Sequence, residues 1–436
     1  MLVQKSNAIV AVVLGLALGL GAAWGQAQKK QEWKDHAEYD LYMAITKEAN
    51  AEARLKLLDH WKEKYAATDY ALLRLQTYLA TYQQLGRTAD ILSTARTMLE
   101  SQPKDIRILS TVAYFTTILP KPAADDLAAG EKAAQGVVGL LDAEFTPDKK
   151  PANVSEADWK KSRTATEAMA HRTLGWVAMQ RKDFAAAEKA LTQTLQVNSE
   201  QGEVSYWLGQ VILYQKKAER QVDALFHFAR AATYTGAGAL SPQGRQQVEA
   251  YLAKAYRAYH GDESGLKEVH DLARANVFPP QGFTIKSAAE IDADKREALA
   301  KADPALALWV SIRENLTEQG GDKYFAESMK DALIPPENMV PFKATLISHE
   351  PAKNPKTLVL GIQDPQKADV TVKLEEALTG AAPAGTAIQF RGAPESFTRE
   401  PFMVTFQVDK ENLKGWPAPA PPAKKAPKKA APKKKT

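Results

Sequence analysis

Residues 171–200 read HRTLGWVAMQRKDFAAAEKALTQTLQVNSE, and residues 205–234 read SYWLGQVILYQKKAERQVDALFHFARAATY. Each stretch predicts one helix, a short polar turn and a second helix. In the first stretch Phe184, Ala187, Leu191 and Leu195 recur at spacings of three and four, which sets them on one helical face. The Leu-Gly pairs Leu174-Gly175 and Leu208-Gly209 stand 34 residues apart. A single helix pair cannot hide such a face from water, so neighbouring pairs must stack on it.

Working outward, residues 250–274 supply Leu252, Ala253, Tyr256 and Gly261 in a similar arrangement. Residues 78–103 supply Tyr82, Gly86, Ala95 and a closing Pro103. Residues 39–65, and residues 105–119 with 126–145, read as two further, degenerate pairs. A 34-residue helix-turn-helix period with these small and large residues resembles the tetratricopeptide (TPR) family. The resemblance is carried by Leu174, Gly175, Phe184 and Ala187 in one unit, and by Leu208, Gly209, Ala224, Phe228 and Ala231 in the next, after about three extra residues in the turn. It covers roughly 240 residues and about six helix pairs. It implies a mainly α superhelical solenoid whose groove is lined by the first helix of each pair. The groove positions it implies are Arg172, Trp176, Met179, Tyr206, Gln210 and Tyr214, with Lys254 and Arg257 in the following unit. Aromatic side chains and arginine suit recognition because they join a large contact area to directed polarity. The paired Lys and Asn of the family's peptide-carboxylate clamp are not seen.

The rest of the chain changes texture. Residues 279–340 predict two more helices, at 304–319 and 322–333, as a helical cap or connector. From 341 to 416 short alternating runs at 342–350, 356–364, 368–376, 385–393 and 402–410 read as five strands separated by turn signals. They predict a small barrel of oligonucleotide/oligosaccharide-binding (OB) type or a small sandwich. Residues 417–436 alternate Pro, Ala and Lys and predict a disordered tail. At the other end, Lys5 precedes the apolar run AIVAVVLGLALGLGAAW at 8–24, followed by small residues, which reads as a signal peptide over residues 1–27. An uncleaved membrane anchor is the competing reading. The helical repeats are therefore expected over 28–278.

Bulk composition limits the chemistry. The 436 residues are 45% hydrophobic and 25% charged, with formal net charge +5. The seven lysines of the tail account for more than that excess and leave the remainder near −2, so the body is not the basic surface that follows a phosphate backbone. The absence of cysteine excludes disulfides, thiol catalysis, iron–sulfur clusters and cysteine zinc sites. The seven histidines form no metal-protease pair, and neither a nucleophile elbow nor a phosphate loop is present. His171 and His227 fall inside repeat helices, where packed or surface histidines are expected.

The expectation is a non-enzymatic, exported scaffold of the bacterial envelope that uses no cofactor and holds a protein or peptide segment in its groove. The tail could add contact with an anionic envelope surface, at about 1 kcal/mol per lysine. One alternative is an envelope carbohydrate-processing enzyme or factor, with dispersed carboxylates in a site between solenoid and β domain. Another is nucleic-acid or polyanion binding by the β domain and tail, which export disfavours for nucleic acid.

Overall fold

The computed structural model describes residues 33–417, so the expected signal peptide and nearly all of the lysine tail lie outside the described residues. These residues form two compact units that divide between Ser287 and Ala288.

The first unit is six helical hairpins in succession. They are α1 (His36–Lys47) with α2 (Ala51–Lys64), α3 (Ala71–Leu85) with α4 (Thr88–Ser101), and α5 (Ile106–Ile118) with α6 (Ala124–Glu144). The series continues with α7 (Glu156–Gln180) and α8 (Phe184–Val197), α9 (Gly202–Tyr214) and α10 (Gln221–Thr233), then α11 (Pro242–His260) and α12 (Leu266–Ala275). Local chemistry starts and stops these helices. Asp35, Asn50, Asp105, Ser155, Asp183 and Ser241 each accept a backbone N–H from the first turn of the helix they precede. Helix α7 closes with Lys182 N–H donating to Met179 O and Asp183 N–H to Ala178 O, which requires a left-handed residue at Lys182, φ 62°. Gly86 makes the same closure after α3, and Lys216, φ 57°, occupies the corresponding turn after α9.

Three of the hairpins close by tight approach at a small residue. A Cβ on Gly175 would stand 2.6 Å from Leu191 Cδ2, and one on Gly209 would stand 3.0 Å from Phe228 Cε1. Both glycines belong to the first helix of a pair and both face a large residue of the second. The 34-residue spacing is therefore a repeat of structure as well as of sequence. The three extra residues of the second pair form a 3-10 turn, Ala218–Arg220, between α9 and α10. Gly130 meets Thr116 in the same close fashion in the third pair, which the sequence marked only as degenerate.

Stacking then joins the hairpins. Helix α5 packs on α7, and α10 on α12, each skipping the helix between. Met169 and Ala170 of α7 share one core with Ile91, Ala95, Val112 and Val137 of the preceding pairs. Leu191, Leu208, Phe228, Leu252 and Val269 share the next. The array ends on an irregular stretch instead of a helix: Phe283 lies against Phe226 with ring centroids 5.3 Å apart, and Phe278 against His227 at 6.0 Å.

The second unit has α13 (Ala288–Ala302), α14 (Pro304–Thr317) and a short α15 (Gly321–Tyr324) that runs into a π turn, Phe325–Met329. Helix α13 was not legible in the sequence because it has no buried residue and so no apolar stripe. The segment read as cap or connector contributes to this unit's own core, where Trp309, Ile312 and Leu316 of α14 are buried with the inner faces of the strands.

The strands are β1 (Phe342–Glu350), β2 (Thr357–Gly361), β3 (Val370–Leu374), β4 (Ala387–Phe390), β5 (Ala393–Arg399), β6 (Phe402–Val408) and β7 (Leu413–Lys414). They form one open sheet in the order β5-β6-β3-β2-β1-β4-β7, antiparallel except for the parallel pair β3–β6. The expected five-stranded barrel or sandwich is thus corrected to a single seven-stranded sheet. The five strands read from the sequence are present, and the two missed ones are its edges. Strand β5 opens Ala393-Pro394-Glu395, a composition tolerated at an edge and not recognisable as a central strand. Strand β7 is only two residues long.

The sheet is nonetheless strongly coiled. A flat sheet would hold β4 and β6 roughly 19 Å apart, at about 4.8 Å per strand. Yet the rings of Phe390 on β4 and Phe406 on β6 lie 5.5 Å apart. Trp309 fills the coil with its ring 5.6 Å from Phe342, and its Nε1–H donates to the buried Asp369 carboxylate at 3.0 Å. Asp369 also accepts from the backbone N–H groups of Ile362 and Gln363, so one carboxylate ties helix α14 to the turn between β2 and β3. Burial pushes the Asp369 carboxyl up from its ordinary range, against the opposing pull of these donors.

Candidate binding face

The first helices of successive hairpins, α7, α9 and α11, carry every groove residue read from the sequence. Their surroundings differ. Arg172 is only 11% exposed, and its Nη2 donates to Glu203 Oε2 at 2.6 Å across to the next hairpin. Its guanidinium lies over the Trp207 ring, 4.8 Å from the centroid. Glu203 and Trp207 were not singled out from the sequence, and nothing short of the tertiary stacking joins residue 172 to residue 203. The trio clamps α7 to α9. Met179 and Tyr206 are half-buried against the local core, Trp176 is half-buried, and Arg257 is held by Glu263 at 3.0 Å. Lys254 is exposed.

What remains open is aromatic. Tyr206, Gln210 and Tyr214 follow one another at a spacing of four along α9 and so form a stripe. Gln210 Nε2–H donates to the Tyr206 hydroxyl at 2.9 Å. Tyr214, 54% exposed, lies against Phe184 of α8 at 5.0 Å between ring centroids. Tyr251 of α11, 45% exposed, lies against Phe228 at 5.0 Å, and Tyr206 meets the same Phe228 at 5.9 Å. Burial, and after it the nearby phenols of Tyr214 and Tyr251, push the Tyr206 hydroxyl above its ordinary value. Burial and then Tyr214 do the same for Tyr251. Both phenols stay protonated at neutral pH and can donate. Tyr251 is the residue that sequence reasoning missed. Its signal was present, since it opens the third repeat two residues before Ala253, but an aromatic there reads as packing.

These hairpins form an array of stacked helical repeats. No protein-family model matches the chain, and no curated protein matches it. Among solved structures it is similar to a thermophilic TPR protein of Thermus thermophilus, at 16% identity over 50% of this chain and 95% of that one, with a TM-score of 0.24. A TM-score that low carries no argument, and the paired glycine crossings and skipped-helix contacts described above establish a helical-repeat fold by themselves.

His227 is fully buried among Phe226 and Phe278, its Nδ1 is without a hydrogen-bond partner, and burial and then Arg230 lower its pKa to about 3. It is a neutral core residue. Among the described residues no group of three or more histidine, aspartate or glutamate side chains is placed to hold a metal ion. Among them, too, no helix is long and apolar enough to cross a membrane.

Proposed function

We propose that this protein is a non-enzymatic scaffold whose TPR-like unit holds a protein or peptide segment against the face formed by α7, α9 and α11. The observation that carries the reading is the pair of outward-facing phenols, Tyr214 and Tyr251, backed by Phe184 and Phe228. Large aromatic side chains are usually drawn inward, and rigid tyrosines left half in water on a stacked array make efficient contact residues because little conformational freedom is lost on binding. An envelope location is part of the proposal and rests on the basic start, apolar run and small residues at the N-terminus.

A photo-crosslinking amino acid placed at position 251 tests the binding face in cells, beside the same probe at Lys189 on α8. The expected result is a discrete adduct at 251 that is lost when Tyr214→Ala is added, with none at 189. Equal labelling from both positions refutes the proposal. The location is tested by the N-terminal residue of the mature protein: cleavage near residue 27 is expected, and an intact N-terminus in the cytosolic fraction refutes it.

A further inference from the structure

We infer that the segment held at the tyrosine face is acidic, a stretch of another protein in which carboxylates flank apolar side chains. This rests on the binding reading above and adds the partner's chemistry to it.

At Tyr206 the hydrogen-bonding capacity left open is that of a donor, while the Tyr214 and Tyr251 hydroxyls can donate or accept. The Tyr206 oxygen already accepts from Gln210, so its own O–H must turn to a second acceptor. Among the described residues the hydroxyls of Tyr206, Tyr214 and Tyr251 find no acceptor on the protein. The neighbouring charges lean the same way. Lys254 lies one turn beyond Tyr251, and Lys216 and Lys217 follow Tyr214 after Gln215; all three are exposed. Three of the nearby carboxylates are already engaged by arginine. Glu203 is held by Arg172 at 2.6 Å, and Arg220 binds both Glu188 and Asp223. Glu249 is the exception, 3.1 Å from His270 Nε2 but without a hydrogen bond to it. In the turn itself two lysines outnumber the single Glu219.

A ligand completing this face must therefore bring acceptors and negative charge to the phenol and ammonium groups, and apolar groups to the rings of Tyr214 and Tyr251. Aspartate and glutamate beside leucine, proline or an aromatic residue supply both. A basic segment would set like charges against Lys216, Lys217 and Lys254 and leave the phenol donors unmatched.

Selection from a random peptide display library against the full-length protein tests this, with Tyr214→Ala/Tyr251→Ala and Lys216→Glu/Lys217→Glu/Lys254→Glu selected in parallel. Circular dichroism checks that both variants keep the parent's helicity. The wild type is expected to recover acidic, apolar peptides. The strongest of them should lose about tenfold or more in affinity to the tyrosine variant. It should weaken several-fold when salt rises from about 50 to 300 mM. The lysine-reversed protein should instead recover basic peptides. Peptides with no acidic bias that still depend on the tyrosines overturn the charge inference and leave the binding face standing. Recovery that is the same with and without the tyrosines, or no recovery at all, overturns both.

Discussion

Gly175→Ala is the sharpest perturbation of the hairpin architecture, because the added atom has a calculable place. An ideal Cβ there stands 2.6 Å from Leu191 Cδ2, 2.7 Å from Leu191 Cγ and 3.3 Å from the Leu191 backbone nitrogen. Leu191 is fully buried, so its side chain has no solvent to swing into, and α7 must move away from α8. Overpacking of this kind costs about 1–3 kcal/mol. Replacing a mid-helix glycine by alanine returns about 1 kcal/mol through helix propensity. The net expectation is a loss of up to about 2 kcal/mol. Two other glycines calibrate it. At Gly209 the first contact is 3.0 Å, to the Phe228 ring, which needs to yield only a few tenths of an ångström, so Gly209→Ala should fall within about 0.5 kcal/mol of neutral. Gly139 in α6 is exposed, with nothing within 4 Å of the added atom, and Gly139→Ala should stabilise by about 0.5–1 kcal/mol. Urea unfolding by circular dichroism would rank the three. Hydrogen exchange across α7 and α8 would localise the loss, since stacked repeats can open locally. If Gly175→Ala proves as stable as Gly139→Ala, the close helix crossing is wrong and the repeat assignment falls with it.

Three further outcomes follow from buried or strained groups. His227 stays neutral in the fold, with its pKa lowered to about 3, whereas the unfolded chain binds a proton near pH 6.5. Its contribution is therefore whole above pH 6.5 and is lost as pH falls toward 3, by roughly 1.4 kcal/mol per unit. Melting temperatures at pH 7.5 and 4.5 should diverge more in wild type than in His227→Leu, and identical pH dependence would count against the buried neutral ring. Asp369→Asn replaces one acceptor oxygen by a donor facing the N–H groups of Trp309, Ile362 or Gln363, and should destabilise the second unit by about 1–3 kcal/mol. Tryptophan fluorescence during unfolding reports this, and an unchanged midpoint would dismiss the carboxylate's tying role. Lys182→Gly relieves a left-handed backbone at φ 62° and should stabilise the α7–α8 hairpin by up to about 1 kcal/mol in thermal unfolding, whereas a lower melting temperature would contradict the turn geometry.

The 34-residue period of Leu174-Gly175 and Leu208-Gly209 was enough, read alone, to determine paired helices that must stack, because small-against-large crossings and a period of 3.6 leave their mark in local order. Alternation by twos likewise marked the five inner strands, each with one buried face. Three matters needed the tertiary structure. The edge strands β5 and β7 exist only because a neighbour pairs with them, and neither has the apolar alternation that announces a strand. Arg172 reads as a free groove cation until stacking brings Glu203 and Trp207 to it, and only then is it a clamp between hairpins. Tyr251 and Tyr214, 37 residues apart in sequence, become one open aromatic surface because α10, the helix between them, packs behind with its Phe228 against Tyr251. Periodicity records which side of an element avoids water, whereas pairing between distant elements depends on three-dimensional proximity that no local pattern encodes.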